Sequence, residues 1–149
     1  MNQNQIPTLH TILSTGVSMY IGMVPRQQKI MEFFSRYIMK NLTVPIVVEG
    51  RNDIRSLRSM NFKGTIIQIN QGKTLVAVAE EISSRYREVI ILTDFDKKGM
   101  ELCSRLVMIL NGHGTKVDSE FSRYIRRNLQ INTVEEIPAA IRKINSTTS

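Results

Sequence analysis

The stretch VPIVVEGRND, residues 44–53, decides the fold of this chain of 149 residues. Its first half is a run of aliphatic, mostly β-branched residues, which is typical of a strand buried on both faces of a parallel sheet. The run ends at Glu49 and Gly50, and a segment with helical spacing follows from Asn52 to Met60. This order predicts a β-α unit of an α/β fold.

The alternation of strand and helix continues along the rest of the chain. We predict further strands at Thr65–Ile69, Glu88–Asp94 and Thr115–Val117, and further helices at Lys73–Ser84, Gly99–Leu110 and Val134–Ile144. Another helix is predicted after the last of these strands, with Phe121, Tyr124, Ile125 and Leu129 facing inward. Asp118 is predicted to cap the helix after the last strand. The expected architecture is a single Rossmann-like α/β domain, with a mostly parallel four-stranded sheet flanked by helices.

Two regions precede the first strand. Residues 1–25 contain no Asp, Glu, Lys or Arg, and we interpret them as a flexible extension. Their apolar run is interrupted by Ser, Thr and Gly, so it is too short for a membrane span. Residues 26–43 carry apolar side chains at helical spacing and are predicted to form an amphipathic helix. The domain itself is expected to occupy residues 44–149.

The composition indicates a globular protein with a basic surface. Hydrophobic residues make up 42% of the chain, which excludes a disordered polymer. Twenty Lys and Arg against thirteen Asp and Glu give a formal net charge of +7, which favours a polyanionic partner such as nucleic acid. The single cysteine, Cys103, cannot form a disulfide within the chain, so we expect a cytoplasmic location without membrane attachment.

Acidic residues follow two of the predicted strands at the point where each strand ends. Glu49 follows the first strand, and Asp94 and Asp96 end the strand of VIILTDFDKKG, residues 89–99. If these strands are neighbours in the sheet, the three carboxylates converge at one edge. Clustered oxygen ligands of this kind suit magnesium. The alternative is that Asp94 and Asp96 cap the following helix or lie solvated in a loop.

Taken together, VPIVVEGRND and VIILTDFDKKG resemble the Toprim domain. This domain occurs in topoisomerases, bacterial-type primases, overcoming-lysogenization nucleases and the nuclease that matures 5S ribosomal RNA. The resemblance is closest to the small stand-alone Toprim proteins of archaea, and it extends over Pro45–Pro138. It implies a magnesium-dependent phosphoryl-transfer site, in which manganese can substitute.

The resemblance implies a role for each acid. Asp94 and Asp96 match the metal-binding pair, and Glu49 matches a glutamate that acts as catalytic acid–base or as a metal ligand. Asp53 matches a less constant accessory acid. The pattern departs from the family at Phe95, where a proline is common, and at Met100, where relatives often have glutamate. The third metal ligand is therefore left open, and Glu101 is unassigned.

Basic residues surround the predicted site along the chain. They form one group at helical spacing after Glu49, one pair after the aspartates and one group near the C-terminus: Arg51, Arg55 and Arg58; Lys97 and Lys98; Arg123, Arg126 and Arg127. Such groups bind nucleic-acid phosphates without reading sequence. A solvated helix face is the alternative interpretation for each group.

These observations lead to two functional hypotheses. The first is a magnesium-dependent nuclease of structured RNA, with RNA favoured over DNA as the substrate. The second is a non-catalytic RNA-binding or ribonucleoprotein subunit that retains the Toprim fold.

Overall fold

The computed structural model describes residues 25–146 of the chain. In this range the elements follow in the order α1 (Pro25–Asn41), β1 (Ile46–Val48), α2 (Arg51–Ser59), β2 (Ile66–Gln68), α3 (Leu75–Arg85), β3 (Glu88–Ile91), α4 (Lys97–Gly112), β4 (Lys116–Asp118), α5 (Glu120–Leu129), a 3-10 helix (Val134–Glu136) and α6 (Ile137–Ser146). Apart from Pro25, the predicted extension of residues 1–25 lies outside the described residues. No helix within residues 25–146 is long and apolar enough to cross a membrane.

The four strands form one sheet in the order β2-β1-β3-β4, and every pairing in it is parallel. β1 lies between β2 and β3, with Val47 opposite Ile91 in the pair with β3. The predicted α/β class and four-stranded parallel sheet are therefore confirmed. The arrangement also places the carboxyl ends of β1 and β3 side by side.

Alternate residues of the strands contact two separate hydrophobic clusters. One face of the sheet packs against α1, α2, α5 and α6 through the side chains of Ile46, Val48, Ile90 and Leu92. The opposite face packs against α3 and α4 through Val47, Val89 and Ile91. Because successive side chains of a strand point to opposite faces, and both faces are covered, the two central strands, β1 and β3, are apolar at every position except Glu88, the first residue of β3.

The first helix is part of the main core. Phe33 stacks on Tyr124 with ring centroids 3.6 Å apart, and Tyr37 stacks on Phe121 at 4.5 Å. Such aromatic pairs contribute about 0.5–1.5 kcal/mol each beyond the area that they bury. α1 therefore packs firmly on α5 and belongs to the same folding unit as the sheet.

The boundaries of the last strand differ from the prediction. β4 begins and ends one residue later than predicted, at Lys116 and Asp118. The pairing with β3 begins at Lys116, because the N–H of Lys116 donates to the carbonyl of Arg87. Asp118 is consequently the last residue of β4, and Ser119 occupies the cap position of α5. Asp118 still accepts a hydrogen bond of 2.9 Å from the N–H of Glu120. Its carboxylate therefore caps α5 from the residue before the N-cap position.

A polar network fastens the end of α1 to β4. The Tyr37 hydroxyl donates to both carboxylate oxygens of Asp118, at 3.0 and 2.9 Å, and the Lys40 ammonium pairs with Asp118 and Glu88. Although burial acts to raise the pKa of Asp118, the hydrogen bonds from Lys40, from the N–H of Glu120 and from Tyr37 hold it below its ordinary value. The folded state therefore favours the ionised carboxylate.

Replacing Asp118 by Asn should lower the free energy of unfolding at pH 7 by about 2 kcal/mol, because hydrogen bonds to a charged acceptor are lost. Since the native pKa of Asp118 is lowered, this contribution is present at neutral pH and is lost as the pH falls below about 4. Urea unfolding should show a difference between wild type and variant that shrinks from about pH 5 to about pH 2. A difference that is constant over this range would contradict the account.

Candidate functional site

Glu49 and Asp94 meet at the carboxyl ends of two neighbouring strands. Glu49 directly follows β1, and Asp94 lies in the loop after β3. Because the two strands pair in parallel, their ends share an edge of the sheet. There, Oε2 of Glu49 accepts a hydrogen bond of 2.8 Å from the backbone N–H of Asp94. The structure thus brings these two predicted site residues together.

Asp53 lies in the first turn of α2, beside the strand-end acids. Its side chain is buried, and its Oδ2 accepts a hydrogen bond of 3.1 Å from the backbone N–H of Gly50. This bond satisfies a donor at the start of α2, where the helix dipole also favours a carboxylate. Asp53 therefore has a structural role as well as a place near Glu49.

The two aspartates of the DFD segment are held in different ways. Oδ1 of Asp94 accepts a hydrogen bond of 2.9 Å from the N–H of Val134, which orients its half-buried carboxylate. Asp96 is exposed, and its Oδ1 caps α4 by accepting 2.8 Å from the N–H of Gly99. The helix-cap alternative considered for Asp96 is therefore present in the structure, and Asp94 is the aspartate that faces the acidic cleft.

The acids line a cleft of about 280 Å³, formed by Glu49, Gly50, Arg51, Asn52, Asp53, Asn70, Asp94 and Glu135. Four of these residues are not among the site residues predicted from the sequence: Gly50 and Asn52, which lie within the stretch VPIVVEGRND, and Asn70 and Glu135, which lie outside it. Asn70 follows β2, so the rule that places functional residues at strand ends could have found it. Glu135 lies in the 3-10 helix after α5, and no pattern in the sequence connects it with the strand ends.

The carboxylates of the cleft raise one another's proton affinity. Burial raises the pKa of Glu49, and the neighbouring carboxylate of Asp94 and the charge of Asp53 raise it further. Burial likewise raises the pKa of Asp53, with additional contributions from the charges of Asp94 and Glu135. The folded protein therefore concentrates negative charge in this cleft, a situation that a bound cation relieves.

The three arginines of α2 have separate surroundings. Arg51 is exposed and lines the cleft. Arg55 donates to the Asn52 side chain at 3.3 Å. Arg58, about 10 Å along the helix axis from Arg51, donates to the carbonyl of Phe62 at 2.6 Å. Arg58 thus satisfies a carbonyl beyond the end of α2, and Arg51 is the arginine of this group that lies at the acidic cleft.

The remaining basic residues lie on α4 and α5. Lys97 and Lys98 are exposed in the first turn of α4, next to the Asp96 cap. Arg126 of α5 reaches this turn, with its Nη1 at 3.6 Å from the sulfur of Met100. Arg123 and Arg127 are exposed on the same helix. The start of α4 is therefore bordered by positive charge from two helices.

The donor set of the cleft fits a hard divalent cation. Carboxylate and amide oxygens converge there, and such oxygens are the preferred ligands of magnesium. Within residues 25–146, no group of three or more acidic, histidine or cysteine side chains is placed so that it could hold a metal ion. This agrees with the usual magnesium site, in which one or two carboxylates bind and water and substrate phosphate complete the octahedron.

These features define a class of protein: a doubly wound α/β domain with an acidic cleft at the carboxyl ends of adjacent parallel strands. The chain belongs to the Toprim family, because residues 44–126 match the model of the Toprim domain. The match spans β1 to most of α5, and it includes Glu49 and both aspartates of the DFD segment.

Similar proteins occur in archaea. A UPF0292 protein of Thermoplasma volcanium is 51% identical over 104 residues, which are 70% of this chain and 87% of that protein. A UPF0292 protein of Methanocaldococcus jannaschii is 29% identical over 118 residues, which are 78% of this chain and 92% of the relative. A solved structure of an Aquifex aeolicus protein superposes with a TM-score of 0.63 at 25% identity, covering 70% of this chain and 94% of that one. The resemblance to small archaeal Toprim proteins is thereby confirmed.

Gly99 allows the first turn of α4 to approach the loop that carries Asp94. A Cβ atom at this position would lie 2.1 Å from the Asp94 carbonyl oxygen, a backbone atom that cannot rotate away. Replacing Gly99 by Ala should therefore separate α4 from the loop and lower the free energy of unfolding by about 1–3 kcal/mol in urea unfolding.

Gly50→Ala is the matched control for this prediction. Gly50 has an extended φ of −147°, and apart from its two neighbours in the chain no residue has an atom within 4 Å of the position that its Cβ would take. Its replacement should change stability by less than about 0.5 kcal/mol. Equal stabilities of the two variants would show that the close approach at Gly99 does not constrain the site.

Proposed function

We propose that this protein is a magnesium-dependent phosphoryl-transfer protein that acts on nucleic acid, and that its reaction is the cleavage of structured RNA. The observation that carries the proposal is the acidic cleft itself: Glu49 and Asp94 lie in contact at adjacent strand ends, and Arg51 lies beside them. Membership of the Toprim family supports a nucleic-acid substrate and a metal ion.

Asp94 and Glu49 are the residues proposed to hold the ion, with Asp96 contributing through the carboxylate oxygen that does not cap α4. The bound cation would polarise the scissile phosphate and stabilise the charge that develops on it; manganese is expected to substitute for magnesium. The protein's own contribution is to keep the acids oriented, through the bonds from Val134 to Asp94 and from Asp94 to Glu49. Glu49 is also the proposed acid–base residue.

The nucleic acid is proposed to bind along the basic residues that border the cleft. Arg51 lies at the cleft, and Lys97, Lys98 and Arg126 border the neighbouring start of α4. Arg55, Arg123 and Arg127 would extend this contact over α2 and α5. Phosphate contacts of this kind position a strand without reading its bases, which suits a substrate recognised by shape.

Asp94→Asn and Glu49→Gln should each lower the rate of RNA cleavage in magnesium by about a hundredfold or more, because each removes a charge placed at the reacting phosphate. Cleavage of structured RNA, followed on denaturing gels, measures the rate. Glu101→Gln, an exposed charge change on α4 outside the cleft, should leave the rate unchanged. Wild-type rates for the Asp94 and Glu49 variants would refute this mechanism.

Arg51→Ala should weaken RNA binding and reduce the slope of log K against log salt by about 0.7–0.9, the value for one lost phosphate contact. Arg85→Ala is the matched control, since Arg85 is an exposed arginine that ends α3 just before the amino end of β3. It therefore lies at the amino ends of the strands, whereas the cleft lies at their carboxyl ends. Binding measured by fluorescence anisotropy at several salt concentrations tests both variants. If Arg51→Ala and Arg85→Ala change RNA affinity and its salt dependence equally, the RNA does not bind specifically beside the cleft.

The capping role of Asp96 favours a second candidate function. An aspartate committed to a helix terminus, together with Met100 in place of the glutamate common in relatives, is consistent with a protein that binds RNA without cleaving it. This candidate is a ribonucleoprotein subunit that retains the Toprim fold. RNA binding that survives EDTA, combined with no cleavage in magnesium or manganese, would select it over the nuclease.

A further inference from the structure

A second pocket, of about 330 Å³, lies between the first turns of α1 and the end of α5. Its lining combines apolar, basic and amide side chains: Pro25, Arg26, Lys29, Ile30, Tyr124 and Asn128. No Asp or Glu of the described range 25–146 is part of this lining. Of the six residues, Tyr124 alone lies within the residues 44–126 that match the Toprim domain, so the family pattern does not account for the pocket.

The pocket and the acidic cleft lie at the same end of the domain. Asn128 of the pocket is in the last turn of α5, and four residues later the carbonyl of Asn132 accepts a hydrogen bond of 2.7 Å from Phe95, in the loop that carries Asp94. Arg126, in the same turn of α5, reaches the start of α4. A nucleic-acid strand at the cleft would therefore reach the pocket by crossing α5, a distance of about 10–12 Å.

Several donor groups of the pocket are free to bind a ligand. The exposed Lys29 ammonium and the Tyr124 hydroxyl make no hydrogen bond or ion pair with any residue in the range 25–146. Burial raises the pKa of Tyr124, so its hydroxyl is protonated at neutral pH and can donate. Arg26 donates to the Asn128 carbonyl at 3.0 Å, which holds its guanidinium at the pocket while other N–H groups stay available.

The charge around the pocket is positive. Arg26 and Lys29 line it, and the charges of Arg36 and Arg26 act on the Tyr124 hydroxyl together with that of one acid, Glu32. The exposed arginines of α5 continue this positive charge toward the start of α4. The surroundings of the pocket therefore favour an anionic ligand such as a phosphate.

The apolar part of the pocket distinguishes a nucleotide from a phosphate alone. Pro25, Ile30 and Tyr124 supply apolar surface, and the Tyr124 ring is held in place by its stacking on Phe33. A nucleotide carries a flat, largely apolar base beside its charged phosphate, so it matches both parts of the lining. Bases in a duplex are stacked on each other, whereas unpaired bases are free to bind against aromatic side chains.

We propose that this pocket binds one unpaired nucleotide of the RNA strand, with its phosphate held by Arg26, Lys29 and the Tyr124 hydroxyl and its base against the apolar lining. The inference rests on the proposed function, because it concerns the same nucleic acid. It narrows the substrate to structured RNA that has a single-stranded segment next to its duplex.

The test measures binding of labelled RNA hairpins to the full chain by fluorescence anisotropy in EDTA, so that no metal chemistry contributes. A blunt hairpin is compared with the same hairpin carrying a short single-stranded extension at its 5′ or 3′ end. We expect wild type to bind an extended hairpin about tenfold more tightly than the blunt one. Lys29→Ala and Tyr124→Phe should each reduce this preference about fivefold, because each removes a donor to the phosphate and no hydrogen bond within residues 25–146.

Lys63→Ala is the matched control. Lys63 is an exposed lysine between α2 and the amino end of β2, and it makes no hydrogen bond or ion pair with any residue of the described range 25–146. Its replacement should leave the preference for the extended hairpin unchanged. Thermal unfolding of Lys29→Ala and Lys63→Ala should match that of wild type, because both side chains are exposed and unpaired.

The outcomes separate this inference from the proposed function. If wild type binds RNA but gains nothing from the extension, or if the gain persists in the Lys29 and Tyr124 variants, the role of the pocket is overturned and RNA binding at the cleft stands. An equal loss in Lys29→Ala and Lys63→Ala overturns it as well, because a general effect of charge would explain both. Binding of free adenosine monophosphate that depends on Lys29, without a gain from the extension, would assign the pocket to a free nucleotide instead. If wild type binds neither hairpin, the proposed action on RNA fails together with the inference.

Discussion

The parallel pairing of β1 with β3 determines where the acidic residues of this protein lie. The register that places Val47 opposite Ile91 also places Glu49 beside the backbone of Asp94, and the hydrogen bond of 2.8 Å between them joins the two strand ends. The position of Asp53 follows from the same constraint, because α2, which carries Asp53 in its first turn, is separated from β1 by only two residues. The third strand-end contribution, Asn70, comes from β2 on the other side of β1.

This arrangement is electrostatically unfavourable. Carboxylates that are partly buried beside one another repel, and the raised pKa values of Glu49 and Asp53 reflect burial together with that repulsion. Backbone donors from Gly50, Asp94 and Val134 offset part of it. A divalent cation would offset the remainder, and under the proposed function the basic residues around the cleft would bind the phosphates of a nucleic acid.

Much of this could be predicted from the sequence, because the signals are local. Buried parallel strands are mostly apolar, so Ile46–Val48 and the run Val89–Ile91 of β3 stand out, and the acids that follow them belong to a known motif. That β1 and β3 are neighbours cannot be read from the sequence. The convergence of the acids was predicted on that condition, which the parallel sheet expected from the alternation of strand and helix made reasonable.

The remainder depends on contacts between distant parts of the chain. Nothing near Asp96 in the sequence distinguishes a metal ligand from the cap that it forms with Gly99, since an aspartate suits both. Glu135 reaches the cleft only because Asn132 and Val134 bind the loop after β3. Likewise, the difference between Arg51 at the cleft and Arg58 at a backbone carbonyl appears only when the end of α2 is seen.

The central claim is that Glu49 and Asp94 hold a divalent cation in the acidic cleft. The most direct measurement is anomalous diffraction from crystals of the full chain soaked in Mn²⁺. The account predicts an anomalous peak bounded by the carboxylates of Glu49 and Asp94, which excess Mg²⁺ displaces. Manganese peaks at other surface sites with none in this cleft would contradict it.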